Sequence, residues 1–276
     1  MSVVNVDTTQ EITHAMALTP KLYEAAGLGV DFTIGREIKS VLSDLNFTVN
    51  QGEFVSICGP SGTGKTTILR ALSGLVDTTE GSVVRYEGSD VTSPPEGVVL
   101  VFQNYSASLL PWRTVARNVA LGLQGRVPKA ELDQRVAEAL ELVGLAGRAD
   151  DYPWRLSGGM QQRVQIARAL AVRPDVLLMD EPFGALDAMT KSSMQDELQR
   201  LQSATNATVI FVTHDIEEAV YLSDRVLIIN GSPATITHEI AIDLPRPRDQ
   251  ISTKESEEYL RLRHEVHQAI HQAIAT

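Results

Sequence analysis

A glycine-rich run, GPSGTGKT at residues 59–66, sets a lysine and a hydroxyl directly behind a turn with few side chains in the way. Its members are Gly59, Pro60, Ser61, Gly62, Thr63, Gly64, Lys65 and Thr66, with Thr67 next in line. The spacing is G-x-x-x-x-G-K-[ST], and the run follows an apolar stretch and opens a helical pattern, as a phosphate-binding loop requires. The glycines let successive backbone N–H groups and the helix N-terminus converge on phosphate oxygens, while Lys65 adds a point charge toward the β and γ phosphates. Thr66 offers its hydroxyl to Mg²⁺. The competing reading, a glycine turn that only caps a helix, does not account for the strand before it and the helix after it.

A second chemical element is VLLMDE at 176–181, four apolar residues ending in two carboxylates. Ligands of open α/β sheets bind at the C-terminal ends of the strands, so the pair faces the same region as the phosphate loop. Asp180 is placed to hold Mg²⁺ through water, and Glu181 to act as a general base on an attacking water, a role worth about 10² to 10⁴ in rate. LSGGMQQR at 156–163 begins another helix, with Ser157 as its N-cap and Gly158 and Gly159 leaving its first N–H groups open. That makes a second anion-binding terminus. Gln103 follows the apolar run VVLVF and His214 follows TVIFVT, and each is placed to meet a γ-phosphate or the water that attacks it.

The elements that must carry these residues are legible in outline. Short apolar runs alternate with helical spacing: 54–58 precedes a helix at 65–73, and 176–179 precedes one near 190–201. That alternation predicts an α/β fold with a buried parallel sheet and crossover helices. Residues 41–49 and 81–86 read as strands of a smaller antiparallel layer. Between 111 and 154 the pattern becomes helical, with Leu132, Val136, Leu140 and Val143 at helical intervals. After LPRPR at 244–248, residues 257–274 resume helical spacing with Leu260, Val266 and Ile270. Residues 1–20 are polar and aperiodic, and are expected to form a flexible leader.

Bulk composition narrows the classes further. The chain has 276 residues, a formal net charge of −11 and one cysteine, Cys58. The charge disfavours nucleic acid at long range, and a single cysteine excludes an internal disulfide framework. No apolar run approaches the roughly 18 residues of a membrane span, and the N-terminus lacks the basic and apolar regions of a secretory signal. A cytosolic protein is expected.

Taken in order, the motifs resemble the nucleotide-binding subunit of ABC transporters across nearly all of residues 21–245. The phosphate loop at 59–66, Gln103, LSGG at 156–159, the run ending at Asp180 and Glu181, the turn 185–187 and His214 stand as in that family. The resemblance implies a P-loop NTPase: a RecA-like core with an antiparallel β layer and a helical subdomain. It implies a leader at 1–20, an ABC ATPase domain at 21–245 with its helical insertion at about 105–165, and a C-terminal helical appendage at 246–276. ATP and Mg²⁺ are the implied cofactors, with Glu181, His214 and Gln103 catalytic, Thr66, Gln103 and Asp180 on the metal, and Phe32 stacked on adenine.

The same resemblance implies a head-to-tail dimer with an identical or similar subunit, in which Ser157, Gly158 and Gly159 of one copy cover ATP held by the other. It further implies transmembrane permease subunits, an indirectly coupled solute-binding protein, and a peripheral position on the cytoplasmic face of the plasma membrane. YSASLLPWRTVARNVALGL at 105–123 and LPRPRDQ at 244–250 look like the nitrate, sulfonate and taurine import group. A soluble ABC ATPase of DNA repair or translation is the rival. A P-loop kinase or GTPase would leave LSGGMQQR, Gln103 and His214 unexplained.

Overall fold

The computed structural model describes residues 20–275, so the leader expected at 1–20 lies, except for Pro20, outside the described residues. The chain opens with two 14-residue strands, β1 (Lys21–Ile34) and β2 (Glu37–Asn50), paired antiparallel around a turn at Gly35, whose φ is 66°. β1 escapes a pattern reading for a physical reason. Register shifts between Ala25 and Leu28 and again near Val30 break the period of two on which strand recognition depends.

The central elements follow as β3 (Phe54–Cys58), α1 (Lys65–Leu72), β4 (Val83–Tyr86), β5 (Ser89–Asp90) and β6 (Val98–Val101). Four helices come next, α2 (Tyr105–Ser108), α3 (Val115–Val119), α4 (Lys129–Leu142) and α5 (Gly158–Ala171). Then come β7 (Val176–Asp180), α6 (Ala188–Thr205), β8 (Thr208–Val212), α7 (Ile216–Leu222), β9 (Arg225–Gly231), β10 (Ala234–Ala241) and α8 (Glu257–Ala275). The sheet runs β5-β4-β1-β2-β10-β9-β3-β8-β7-β6, parallel from β9 to β6 and chiefly antiparallel on the other side.

Continuous apolar strands at the centre are explained by burial on both faces. Along β7, Leu177 and Met179 join one core cluster and Val176 and Leu178 the other; along β8, Val209 and Phe211 divide from Ile210 and Val212 in the same way. Helix α1 covers one face with Ile68, Leu69 and Leu72, while α5, α7 and α8 cover the opposite one. Within the helical region, Val136, Leu140 and Val143 are buried as their spacing predicts. Helix α5 continues unbroken to Ala171, past the boundary expected near 165.

The C-terminal segment is built into the core. Tyr259, Leu262, Val266, Ala269 and Ala273 form the buried stripe of α8 and join the cluster under α7 and β9. Of the residues that the sequence pattern picks, Val266 is buried and Ile270 packs half-buried on the cluster, while Leu260 is exposed. Ahead of α8, the Arg248 guanidinium is buried and donates to the carbonyls of Tyr221 at 2.9 Å and Ser223 at 2.8 Å, at the end of α7. Removing this charge from water pushes its pKa down to about 10.

Candidate functional site

Strand order places the chemistry. β3, β8 and β7 are adjacent and parallel, so the phosphate loop, His214 and the Asp180–Glu181 pair leave the sheet side by side. β6 pairs with β7 and delivers Gln103 to the same edge.

In the loop, Gly62 and Gly64 have φ of 83° and 91°, the left-handed region that a side chain disfavours. Gly64 is the N-cap of α1 and makes no side-chain cap, which leaves the first N–H groups of the helix for a ligand. Gly59 is required for a different reason: a Cβ there would stand 2.3 Å from the Ile229 carbonyl oxygen. Lys65 Nζ is folded back, donating to the carbonyls of Gly59 at 2.8 Å and Pro60 at 2.7 Å. Burial pulls its pKa down, against the opposing pull of Glu181 and Asp180. Ser61, Thr66 and Thr67 line the cleft with these residues, and Thr63 ties the loop by donating from Oγ1 to Pro60 O at 2.8 Å.

Thr66 Oγ1 donates to Asp180 Oδ2 at 2.8 Å, and Asp180 is buried, with its pKa raised by desolvation. Beyond it the backbone kinks: Glu181 has a φ of 46° and its N–H donates to the Val212 carbonyl at 2.9 Å. This conformation is uncommon outside glycine and turns the carboxylate into the cleft mouth. Glu181 Oε2 accepts from Gln103 Nε2 at 3.1 Å and lies 3.2 Å from His214 Nδ1, so one oxygen gathers both groups.

The cleft, about 320 Å³ in volume, is lined by the loop, Gln103, Asp180, Glu181 and also Val41 of β2. Phe32 does not line it. It stands opposite Lys39 in the β1–β2 pair and packs, half-buried, against the same core cluster as Val41. Among the described residues no group of three or more His, Cys, Asp or Glu side chains makes a metal cluster. The Thr66 hydroxyl and Asp180 carboxylate do form a hard-oxygen pair at the phosphate loop, which suits an ion that keeps most of its ligands as waters and phosphate oxygens.

Ser157, Gly158 and Gly159 are not part of this cleft. Ser157 caps α5, its Oγ accepting from Met160 N at 3.3 Å, and remains exposed. A Cβ at Gly158 would meet Tyr105 Oη at 2.7 Å, and one at Gly159 the Ala185 carbonyl at 3.2 Å. Two glutamines escape sequence reasoning: Gln162 Oε1 accepts from Ala185 N at 3.0 Å, and Gln165 Nε2 donates to Phe102 O at 2.8 Å. They brace the loops after Glu181 and before Gln103. Their only signal is burial of a polar residue on a helix, which a sequence does not display.

Similarity to known proteins agrees with this geometry. A family model described as ABC transporter matches residues 42–184. The nitrate import ATP-binding protein NrtC of Synechococcus elongatus is 44% identical over 229 residues, covering 82% of this chain and 34% of that protein. The chain therefore spans about a third of that relative's length. The bicarbonate transport ATP-binding protein CmpD of Synechocystis sp. is 45% identical over 228 residues, covering 81% of this chain and 80% of that one. Among solved structures, a dimeric post-hydrolysis state of the ATP-binding cassette MJ0796 bound to ADP and Pi superimposes with a TM-score of 0.72 at 31% identity. It covers 80% of this chain and 99% of the other.

Proposed function

This chain belongs to the ABC transporter family, and from that premise we propose that it is the ATP-hydrolysing subunit of an importer for a small oxyanion. The observation that carries the reading is the convergence of Gln103 and His214 on one oxygen of Glu181, beside the Thr66–Asp180 pair. A general base, its orienting partners and a hard-cation site thus share one phosphate cleft.

ATP enters with its phosphates along the N–H groups of the loop, and Lys65 exchanges the Gly59 and Pro60 carbonyls for β and γ phosphate oxygens. Thr66 and Asp180, with Gln103, would hold Mg²⁺, which would neutralise phosphate charge there. Glu181 takes a proton from water as the water oxygen bonds to the γ-phosphorus and the bond to the β-phosphate bridging oxygen breaks, giving ADP and phosphate. Gln103 and His214 orient the carboxylate and the attacking water. Phe32, on the hairpin that brings Val41 to the cleft, stacks on the adenine.

Ser157, Gly158 and Gly159 serve a second copy or a similar subunit: an exposed helix N-terminus that does not reach the cleft of its own chain is suited to cover ATP in a partner. The dimeric arrangement of the similar ADP- and Pi-bound cassette supports this. Among the described residues no helix is long and apolar enough to cross a membrane. The importer reading implies transmembrane permease subunits, with a solute-binding protein acting through them, and a peripheral position for this chain on the cytoplasmic face of the membrane.

The names of the relatives favour import over repair or translation, and extend the solute class from nitrate, sulfonate and taurine to bicarbonate. Uptake of each anion into vesicles holding the chain with its permease tests the reading. ATP-dependent uptake of one of them is expected. An active ATPase that drives none would leave the soluble factor standing, and absence of Mg²⁺-ATP hydrolysis would end both.

A further inference from the structure

Between the first turn of α6 and the loop that carries His214 lies a compact charged network that the hydrolytic scheme does not use. Lys191 Nζ stands 2.7 Å from Asp215 Oδ2 and 2.6 Å from Glu218 Oε1. Glu218 is buried and its other oxygen accepts from Thr213 Oγ1 at 2.5 Å. Asp215 Oδ1 meanwhile accepts from the N–H groups of Glu217 at 2.9 Å and Glu218 at 3.3 Å, capping α7. Both side chains that flank His214 in sequence therefore share one network with this ammonium group, Asp215 directly and Thr213 through Glu218.

The helix that carries this ammonium starts from another loop. Lys191 N–H donates to the Asp187 carbonyl at 2.8 Å, and Asp187 is the N-cap of α6 at the end of the turn that follows Glu181. The opposite side of α7 is held as well, by Tyr259 Oη donating to Glu217 O at 3.4 Å and by the Arg263–Glu217 pair at 3.3 Å. With α7 braced there, Lys191 is the side chain that links the His214 loop to the start of α6.

We propose that Lys191 is a positioning residue that transmits the placement of the 185–187 turn to His214, and so sets the geometry of His214 against Glu181. The proposal rests on the hydrolytic reading above. Lys191 contacts Asp215 and Glu218 rather than Glu181 or the phosphate loop, and does not line the cleft. Without it α6, which begins at the 185–187 turn, loses its link to Asp215 and Glu218, and the loop leaves the arrangement that holds His214 Nδ1 at 3.2 Å even where the stranded charge is removed.

The test compares the purified chain with Lys191→Met, Lys191→Arg and the double variant Lys191→Met/Glu218→Gln, measuring Mg²⁺-ATP turnover, ATP binding and melting temperature. Expected are a fall in kcat of about tenfold or more for Lys191→Met, a KM and ATP affinity within about threefold, and recovery of most turnover in Lys191→Arg. Should Lys191→Met fold poorly because Glu218 is stranded, the double variant removes that charge; recovered melting with turnover still low supports the proposal. Normal kcat in a folded methionine variant, recovered turnover in the double variant, loss of ATP binding in step with kcat, or an arginine variant no better than methionine would each overturn it. Glu181→Gln is the control that separates the two readings. If it hydrolyses ATP normally, the hydrolytic scheme itself has failed; if it is inactive, a normal Lys191→Met refutes the coupling alone.

Discussion

His214 Nδ1 and Glu181 Oε2 lie 3.2 Å apart, although one residue follows β8 and the other follows β7. The pairing exists because β7 and β8 are parallel neighbours whose register sets Asp180 against Val212, so the residues just past each strand end meet. Parallel strands thus do for these two residues what a tight turn does for sequence neighbours.

Glu181→Gln keeps the shape and the Gln103 contact but removes the proton acceptor. Turnover should fall by about 10² to 10⁴ while ATP still binds. Size-exclusion chromatography with Mg²⁺-ATP should then show an accumulated dimer, because the step that opens it is blocked. Turnover near that of the unsubstituted chain would remove Glu181 from the role of base.

Replacing Lys65 by Ala takes away both the cation proposed to bind phosphate and the clasp on the Gly59 and Pro60 carbonyls. Affinity for ATP should drop at least tenfold, about 1.4 kcal/mol, with only the backbone N–H groups left to hold the phosphates. Equilibrium titration with ATP at constant Mg²⁺ checks it, and unchanged affinity would show that the lysine remains on its own loop when nucleotide binds.

How much of this was legible beforehand differs by element. The phosphate loop, Asp180, Glu181, Gln103, His214 and the LSGG start are all visible because each stands directly after an apolar run or before a helix, where local pattern is strongest. Sequence pattern does not show that Gln103 and His214 share one Glu181 oxygen, since that depends on strand order. β1 was hidden by its register shifts. The prolines of LPRPR mark residues 246–276 off as an appendage, whereas Arg248 in that same segment is tied to the end of α7 and α8 itself packs into the core.

That fastening makes α8 structural. Deleting residues 254–276 would uncover the cavity filled by Tyr259, Leu262 and Val266, each at most 1% exposed. Large apolar side chains contribute roughly 1.5–3 kcal/mol apiece when buried, which together rivals the about 5–15 kcal/mol net stability of a folded protein. The truncated chain should lose its cooperative thermal transition or aggregate. A soluble truncation that melts at the original temperature would make α8 the separable appendage that the prolines suggest.

Trp112 offers the cleanest division between packing and partner contact. The apolar cluster of Leu109, Leu110, Pro111 and Trp112 divides sharply: Leu109 is 4% exposed and belongs to the core, whereas Trp112 is 71% exposed. The turn that presents it is rigid, because buried Asn118 accepts from Leu110 N at 2.8 Å and donates to the carbonyls of Leu110, Arg113 and Thr114, each at 3.1 Å. A large aromatic held on a fixed turn loses little entropy when another surface covers it, and such a residue contributes about 2 kcal/mol or more when it anchors an interface. Trp112→Ala should therefore leave the melting temperature within about 2 °C, as surface substitutions do, and leave basal ATPase of the isolated chain unchanged. Leu109→Ala, by contrast, should destabilise the chain by roughly 2–5 kcal/mol. In vesicles with the permease, Trp112→Ala should lower assembly or ATP-driven uptake by about tenfold or more. Equal loss of basal ATPase and uptake, accompanied by a lower melting temperature, would place Trp112 with Leu109 in the packing and remove it from the coupling surface.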